Sequence, residues 1–328
     1  MPTTRTSQDV ARSRKGLQGG IGMETAIIGL RFVQYGGAML LFGLPLFHLL
    51  RIPSDSLAAA GAPRRLLAAA AALTLVSTLA ALATQTAMMG GAWSEALRSE
   101  ALSYVAFDTG LGLAMLVRAA AALAALGVVL RLGRGRGGWR VLVALGAMIT
   151  VSLAWMGHGA ATQGAGRWAH LAADIVHVLA AALWLGALAA LVSLLRQASV
   201  SPAGATLAFT ALQGFSGMGT LAVGLLTVSG LINAGFIIGP ENLAETPATT
   251  YGRLLIVKLL LFGLMLALAA GNRFNLTPRL GDALHSATAR QSALTILRRS
   301  VALETALGAA LLLAVAAMGV QPPPGVEM

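Results

Sequence analysis

Three side chains in this sequence carry most of its potential chemistry. His170, Asp174 and His177 recur at i, i+4 and i+7, which on a helix turning 100° per residue sets them within about 60° of one another, as a stripe. Their neighbours in sequence are mostly Ala, Leu, Val and Ile. Ionisable groups at membrane depth are costly, so the stripe is expected to face a bundle interior, a water-filled mouth or a bound ion instead of lipid. His170 and His177 are two turns apart, about 10 Å along the axis, which is too far for one helix to close both on a single ion. Each is expected to share an ion with Asp174, with His158, or with the sulfurs of Met88, Met89 and Met156, as one site or as two successive stations. The same residue types fit equally well a structural network in which Asp174 fixes a histidine tautomer. Histidines on neighbouring helices also suit the two axial positions of a haem.

The chain has no cysteine, which excludes disulfides, thiolate metal sites and thiol chemistry, so any soft-metal ligand has to be Met or His. Most of the twelve methionines must serve packing. There is no glycine-rich phosphate loop followed by Lys-Ser/Thr, no serine elbow and no ATP-driven module. Transport would have to run on a gradient or on delivery by a partner.

The elements that position these residues follow from composition. Of 328 residues 57% are hydrophobic and 11% charged, and the mean hydropathy is +0.78. Apolar spans run at 24–48, 65–90, 109–131, 139–157, 168–195, 216–238, 251–271 and 299–320, each long enough at 1.5 Å per residue to cross a hydrocarbon layer of roughly 30 Å. Backbone groups in lipid must be satisfied internally, and Ala/Leu-rich spans of this length suit helices far better than alternating barrel strands. The expected fold is all-α, a polytopic membrane protein with a bundle of eight transmembrane helices over residues 22–320. A polar basic tail, 1–21, and a short tail, 321–328, would lie outside it. The head has no cleavage site after a short apolar core, so a removable signal peptide is not expected.

The formal charge of +11 does not point to nucleic acid, because no basic run is interleaved with aromatics for base stacking. Basic residues instead set topology. Thirteen Lys or Arg follow the odd-numbered spans, against three on the other face, or seven with the head included. The positive-inside rule then puts the odd connections in the cytoplasm and both termini outside. That orientation collects the unusual polar residues at the outer end: Glu24, Arg31, Thr84, Gln85, Met88, Met89, Asp108, Met156, His158, the His170–His177 stripe, Asn233, Tyr251, Arg253 and Lys258. Residues 91–107 are expected to form a short helix at that surface.

Arg31, Arg118 and Lys258 fall inside apolar spans, where each needs a carboxylate, a helix end or a snorkelling route. Lys258 is expected to pair with Asp174 or Asp108; alternatively it repels a cation and acts as a gate. Glu304 and His48 would lie toward the cytoplasmic side, with ordinary interfacial solvation the expectation and an exit station the alternative. Glycines along the sixth span, such as Gly214, Gly224 and Gly230, permit close helix approach.

Several pieces, in order and spacing, resemble the CopD copper-resistance membrane family: His170-Leu-Ala-Ala-Asp174-Ile-Val-His177 with Trp184-Leu-Gly186 behind it, Phe215-Ser216, Ser229-Gly230-Leu-Ile-Asn233-Ala234, Tyr251-Gly252-Arg253-Leu254-Leu255-Ile-Val-Lys258, and Asn272-Arg273 with Pro278. The likeness is firm over 168–279 and weaker around Arg31-Phe32, Tyr35, Thr109-Gly110 and Arg118. Position 187 is Ala where many relatives carry Gly, a difference of packing. The resemblance implies an eight-helix bacterial inner-membrane protein that takes copper inward from the periplasm, often beside a small periplasmic CopC-type β-sandwich protein. No such sandwich fits the two tails, so that partner would be separate. On this reading copper enters near Met88, Met89 and His158 and passes to His170, Asp174 and His177, with Lys258, Arg31, Arg118 and Asp108 tuning occupancy and Trp184, Gly186 and Asn233 packing nearby. The alternatives are a haem-bearing electron-transfer protein and an accessory subunit without transport activity.

Overall fold

The computed structural model describes residues 7–53, 63–132, 135–157, 162, 164–198, 201–322 and 324, with side chains from residue 22 onward. Among these residues there is no strand, and eight helices are long and apolar enough to cross a membrane. They are α1 (Ser7–Arg51), α2 (Arg64–Gly90), α4 (Gly110–Leu130), α5 (Arg136–Ser152, prolonged by a 3-10 turn to Met156), α6 (Arg167–Ala198), α7 (Pro202–Ile237), α8 (Thr250–Gly271) and α10 (Ala287–Met318). Two short helices complete the set among the described residues: α3 (Ser99–Asp108), overlapping the 91–107 stretch where one was expected, and α9 (Thr277–Ala283), which follows a π turn at Asn272–Leu276. The described part of the polar head is helical, since α1 continues back to Ser7, while its apolar span begins at Gly22. Extending an existing helix avoids the nucleation cost, so a polar stretch joined to a membrane helix stays helical more readily than an isolated one.

The starts of these helices are written in local chemistry. Thr109, Ser201 and Thr249 cap α4, α7 and α8, each side-chain oxygen accepting from the backbone N–H three residues on, at Gly112, Gly204 and Gly252. Such caps satisfy donors that no intrahelical carbonyl can reach. Pro202 follows its cap at the first helical position, where a missing N–H costs nothing.

Two helices, α1 and α6, form the axis of the bundle. α1 packs on α2, α5, α6 and α10, and α6 on α1, α7 and α10, while α4 closes the first group against α2 and α5, and α8 lies along α10. Small residues set the α1–α6 approach. A Cβ added at Gly43 would stand 1.8 Å from the Ala182 carbonyl oxygen, and one at Gly186 2.4 Å from that of Met39. Backbone cannot yield to such contacts, so both positions must stay glycine for the helices to touch, the close approach that small residues permit in lipid. As the first and fifth of eight spans the two helices run in the same direction, and Tyr35 of α1 lies within electrostatic range of Asp174 on α6. Leu221, Val228 and Leu231 of α7 and Leu259, Leu260 and Leu264 of α8 face outward, as lipid-facing surfaces do.

Candidate metal centre

The α6 stripe faces α7, and each member has a polar partner there or in the preceding loop. Asp174 Oδ1 accepts a 2.7 Å hydrogen bond from Asn233 Nδ2. Three residues along α6 and four back along α7, His177 Nδ1 lies 3.0 Å from Ser229 Oγ. The Ser229 hydroxyl already donates to the Leu225 carbonyl, at 2.5 Å. A hydroxyl has one proton to give, so Ser229 accepts from His177, and in the neutral ring the Nε2 atom is left with a lone pair. That tautomer is the one a metal-ligating imidazole needs, with its other nitrogen held by a neighbour.

His170 is buried, stacked on Phe236 with ring centroids 4.8 Å apart, and its Nδ1 is 2.7 Å from Thr162 Oγ1. Its Nε2 is a buried nitrogen with no hydrogen-bond partner among the described residues. Gly157, at the end of α5, borders the centre on another side, where an added Cβ would stand 3.3 Å from Asp174 Oδ2. Lys258 and Tyr251 of α8 and Tyr35 of α1 lie within electrostatic range of Asp174, and Lys258 also acts on His177. The layer thus combines one carboxylate, two imidazoles and a lysine, all from α6 and α8, with polar neighbours from α1 and α7.

Beside it, Arg118 of α4 is wholly buried. Its guanidinium donates to Ser152 Oγ at 2.9 Å, to the Ser152 carbonyl at 2.8 Å, to the Met156 sulfur at 2.8 Å and to Gln34 Oε1. Gln34 Nε2 in turn donates to the Ser77 carbonyl, at 3.1 Å. One cation therefore ties α1, α2, α4 and α5 together through neutral acceptors. Arg31 Nη2 reaches the Met156 carbonyl at 3.4 Å, and its guanidinium lies against Gly319 at the C-terminal end of α10, where helix carbonyls favour positive charge.

These positions redistribute the residues marked out by sequence. His170, Asp174, His177, Asn233 and Lys258 come together. Asn233, expected to pack, is a polar partner of Asp174. The Met156 sulfur is turned to a guanidinium, an unfavourable neighbour for a bound cation. Met88 and Met89 are exposed at the end of α2, which packs on α1 and α4, and Asp108 is exposed at the end of α3. His158 lies outside the described residues. Gln34 and Ser152 were missed by sequence reasoning, and Ser229 was noted there only as part of a motif, without a role. Only Gln34 left a signal there: an amide one turn from Arg31 inside an apolar span has to find a partner.

Deeper in the bundle the expectation of interfacial solvation fails for both residues to which it was applied. His48 and Glu304 are each 1% exposed. His48 Nδ1 is 3.0 Å from the Leu44 carbonyl and its ring stacks on Trp139. Glu304 accepts from Trp184 Nε1 at 3.1 Å and from Asn272 Nδ2 at 2.9 Å. By the α1–α6 register His48 lies about 18 Å beyond His177 along the bundle, so it cannot complete a haem pair with the α6 imidazoles. No three His, Cys, Asp or Glu side chains form a complete metal cage among the described residues.

Comparison with known proteins places the chain among copper proteins. The family described as copper resistance protein D-like, N-terminal domain, matches residues 23–168, and copper resistance protein D matches 209–318; the α6 stripe falls between the two. The chain is 36% identical over 291 residues to copper resistance protein D of Pseudomonas syringae pv. tomato, covering 87% of this chain and 92% of that one. It is 29% identical over 300 residues to the copper transport protein CutJ of Bacillus subtilis, covering 90% of this chain and 52% of that one. It is 30% identical over 261 residues to the inner membrane protein YebZ of Escherichia coli, covering 77% and 85%. No solved structure matches.

Proposed function

The chain belongs to the copper resistance protein D family, and from that premise we propose that it carries copper inward across a bacterial inner membrane, through the polar layer on α6. The observation that supports this most directly is the His177–Ser229–Leu225 chain of hydrogen bonds. It leaves the His177 Nε2 lone pair available one turn from the Asp174 carboxylate. Copper would bind between His177 and Asp174, with His170 Nε2 as a neighbouring station. Imidazole suits either oxidation state of copper, and a ligand set of two or three groups without thiolate binds loosely enough for a cargo that must leave.

In this reading Asn233 orients Asp174, and Lys258, in range of both Asp174 and His177, resists prolonged occupancy by a cation. The exposed thioethers of Met88 and Met89, at the end of the bundle where α1 enters, would meet copper arriving from a separate periplasmic carrier of the CopC type.

The test is elemental analysis of purified protein together with copper uptake into proteoliposomes. His177→Ala is expected to lower the copper bound per chain and to abolish uptake, and His170→Ala to lower uptake. Unchanged binding and uptake in both variants would reject the site. Copper bound by the wild type at fixed stoichiometry without any flux would replace the permease by an accessory, metal-holding subunit.

A further inference from the structure

We propose that Glu304 is a proton-binding site in the half of the bundle away from Asp174, taking up and releasing a proton on its Oε2 oxygen. The proposal is independent of the copper reading and concerns a carboxyl group that the copper path does not use. Trp184, its partner on α6, is seven residues beyond His177, about 10 Å deeper along the helix.

Four observations carry the proposal. First, Glu304 is 1% exposed and its two partners are neutral donors, the Trp184 indole and the Asn272 amide. Second, among the described residues no charged group faces it from the packed helices. On α8 Lys258 serves Asp174, and in the π turn Arg273 donates to Thr220 at 2.8 Å. On α1 His48 stacks on Trp139 and Arg51 reaches the Met218 sulfur. Arg196 of α6, Arg279 and Asp282 of α9, and Arg298 and Arg299 of α10 itself, are exposed. A carboxylate so placed is strongly penalised when ionised, and a proton removes the charge.

Third, Asn272 Oδ1 is buried with no hydrogen-bond partner among the described residues. While Glu304 is ionised, Oε2 accepts from Asn272 Nδ2. When a proton from water joins Oε2, a half-turn of the carboxamide presents Oδ1 as the acceptor for the new O–H. The indole can only donate, so Oε1 stays an acceptor in both states and the proton is confined to Oε2. Fourth, Asn272 opens the π turn Asn272–Leu276 at the end of α8, a local widening of the helix of the kind often found at functional positions. Three oxygens, two of them already facing N–H groups, are too few to hold a metal ion, which leaves the proton as the ligand.

The experiment is an infrared titration of the full chain in lipid nanodiscs, without copper, from roughly pH 4 to 10, a window wide enough for a displaced carboxyl. The wild type is expected to show a protonated-carboxyl C=O band whose intensity falls as pH rises, and Glu304→Gln to lack it. Trp184→Phe, which leaves the carboxyl in place, is expected to keep the band at a higher frequency because Oε1 loses its indole donor; this assigns the band even if Glu304→Gln does not fold. A wild-type spectrum with no titrating band, or with one unmoved in both variants, overturns the proposal. Because no copper is present, that failure would leave the copper site standing, and loss of the copper site would leave the proton site standing.

Discussion

Asn233→Ala separates a copper centre from a purely structural polar cluster. The substitution deletes the amide donor 2.7 Å from Asp174 Oδ1 and leaves α7 helical, since alanine is the best helix former. A hydrogen bond to an ionised acceptor contributes about 1.5–3 kcal/mol, and each 1.4 kcal/mol is a factor of about ten in an equilibrium constant. If that bond holds the carboxylate in the geometry copper uses, affinity should fall about 10- to 100-fold, the usual effect of removing a group that orients a metal ligand. The copper bound at saturation should not change, because His177 and Asp174 are both still present. The measurement is a competition titration of purified protein against a chromophoric copper chelator, with thermal melting to show that the variant is folded. Thr227→Ala, also on α7, is the control: its hydroxyl only returns to the Val223 carbonyl. A folded Asn233→Ala whose dissociation constant stays within about twofold of wild type would refute the reasoning and reassign the α6–α7 bonds to packing.

Arg118→Lys should be severe although it keeps the charge. A single ammonium cannot span the Ser152 and Gln34 acceptors that the guanidinium joins, and breaking a buried charged network typically costs about 3–5 kcal/mol. The expected result is a clear drop in melting temperature and in yield of monodisperse protein; melting within about one degree of wild type would show that the node is not structural. The chain has no native cysteine, so topology can be read from single substitutions at exposed positions. Ser94→Cys should react with an impermeant thiol reagent in intact spheroplasts, and Ser292→Cys only after lysis; the reverse pattern would invert the orientation.

The eight spans and their order were legible because each side chain in them votes for the same environment. Runs of Ala and Leu about 20 residues long leave few structural alternatives in lipid. The stripe on α6 was legible for a related reason, since i, i+4, i+7 spacing fixes a face whatever the neighbours are. Which residues meet that face was not. Ser229 and Asn233 are four apart on α7, as Asp174 and His177 are three apart on α6, and only the antiparallel register set by packing brings the pairs together. For Met88 and Met89, position near one membrane surface says nothing about azimuth: they stand exposed at the end of α2, which packs on α1 and α4. Arg118 shows the limit most plainly. An arginine inside an apolar span calls for a carboxylate, a helix end or a snorkelling route, yet this one is satisfied by a glutamine, a serine, a carbonyl and a sulfur, none of which announces itself as a partner for charge. Glu304 is the converse case, an acid that sequence position assigned to the interface and that three-dimensional packing sealed among neutral donors. Both follow from one physical fact. In a helical bundle depth is written along the chain, but neighbourhood is decided by which glycines and alanines allow helices to touch, and the approach of α1 to α6 at Gly43 and Gly186 does that here.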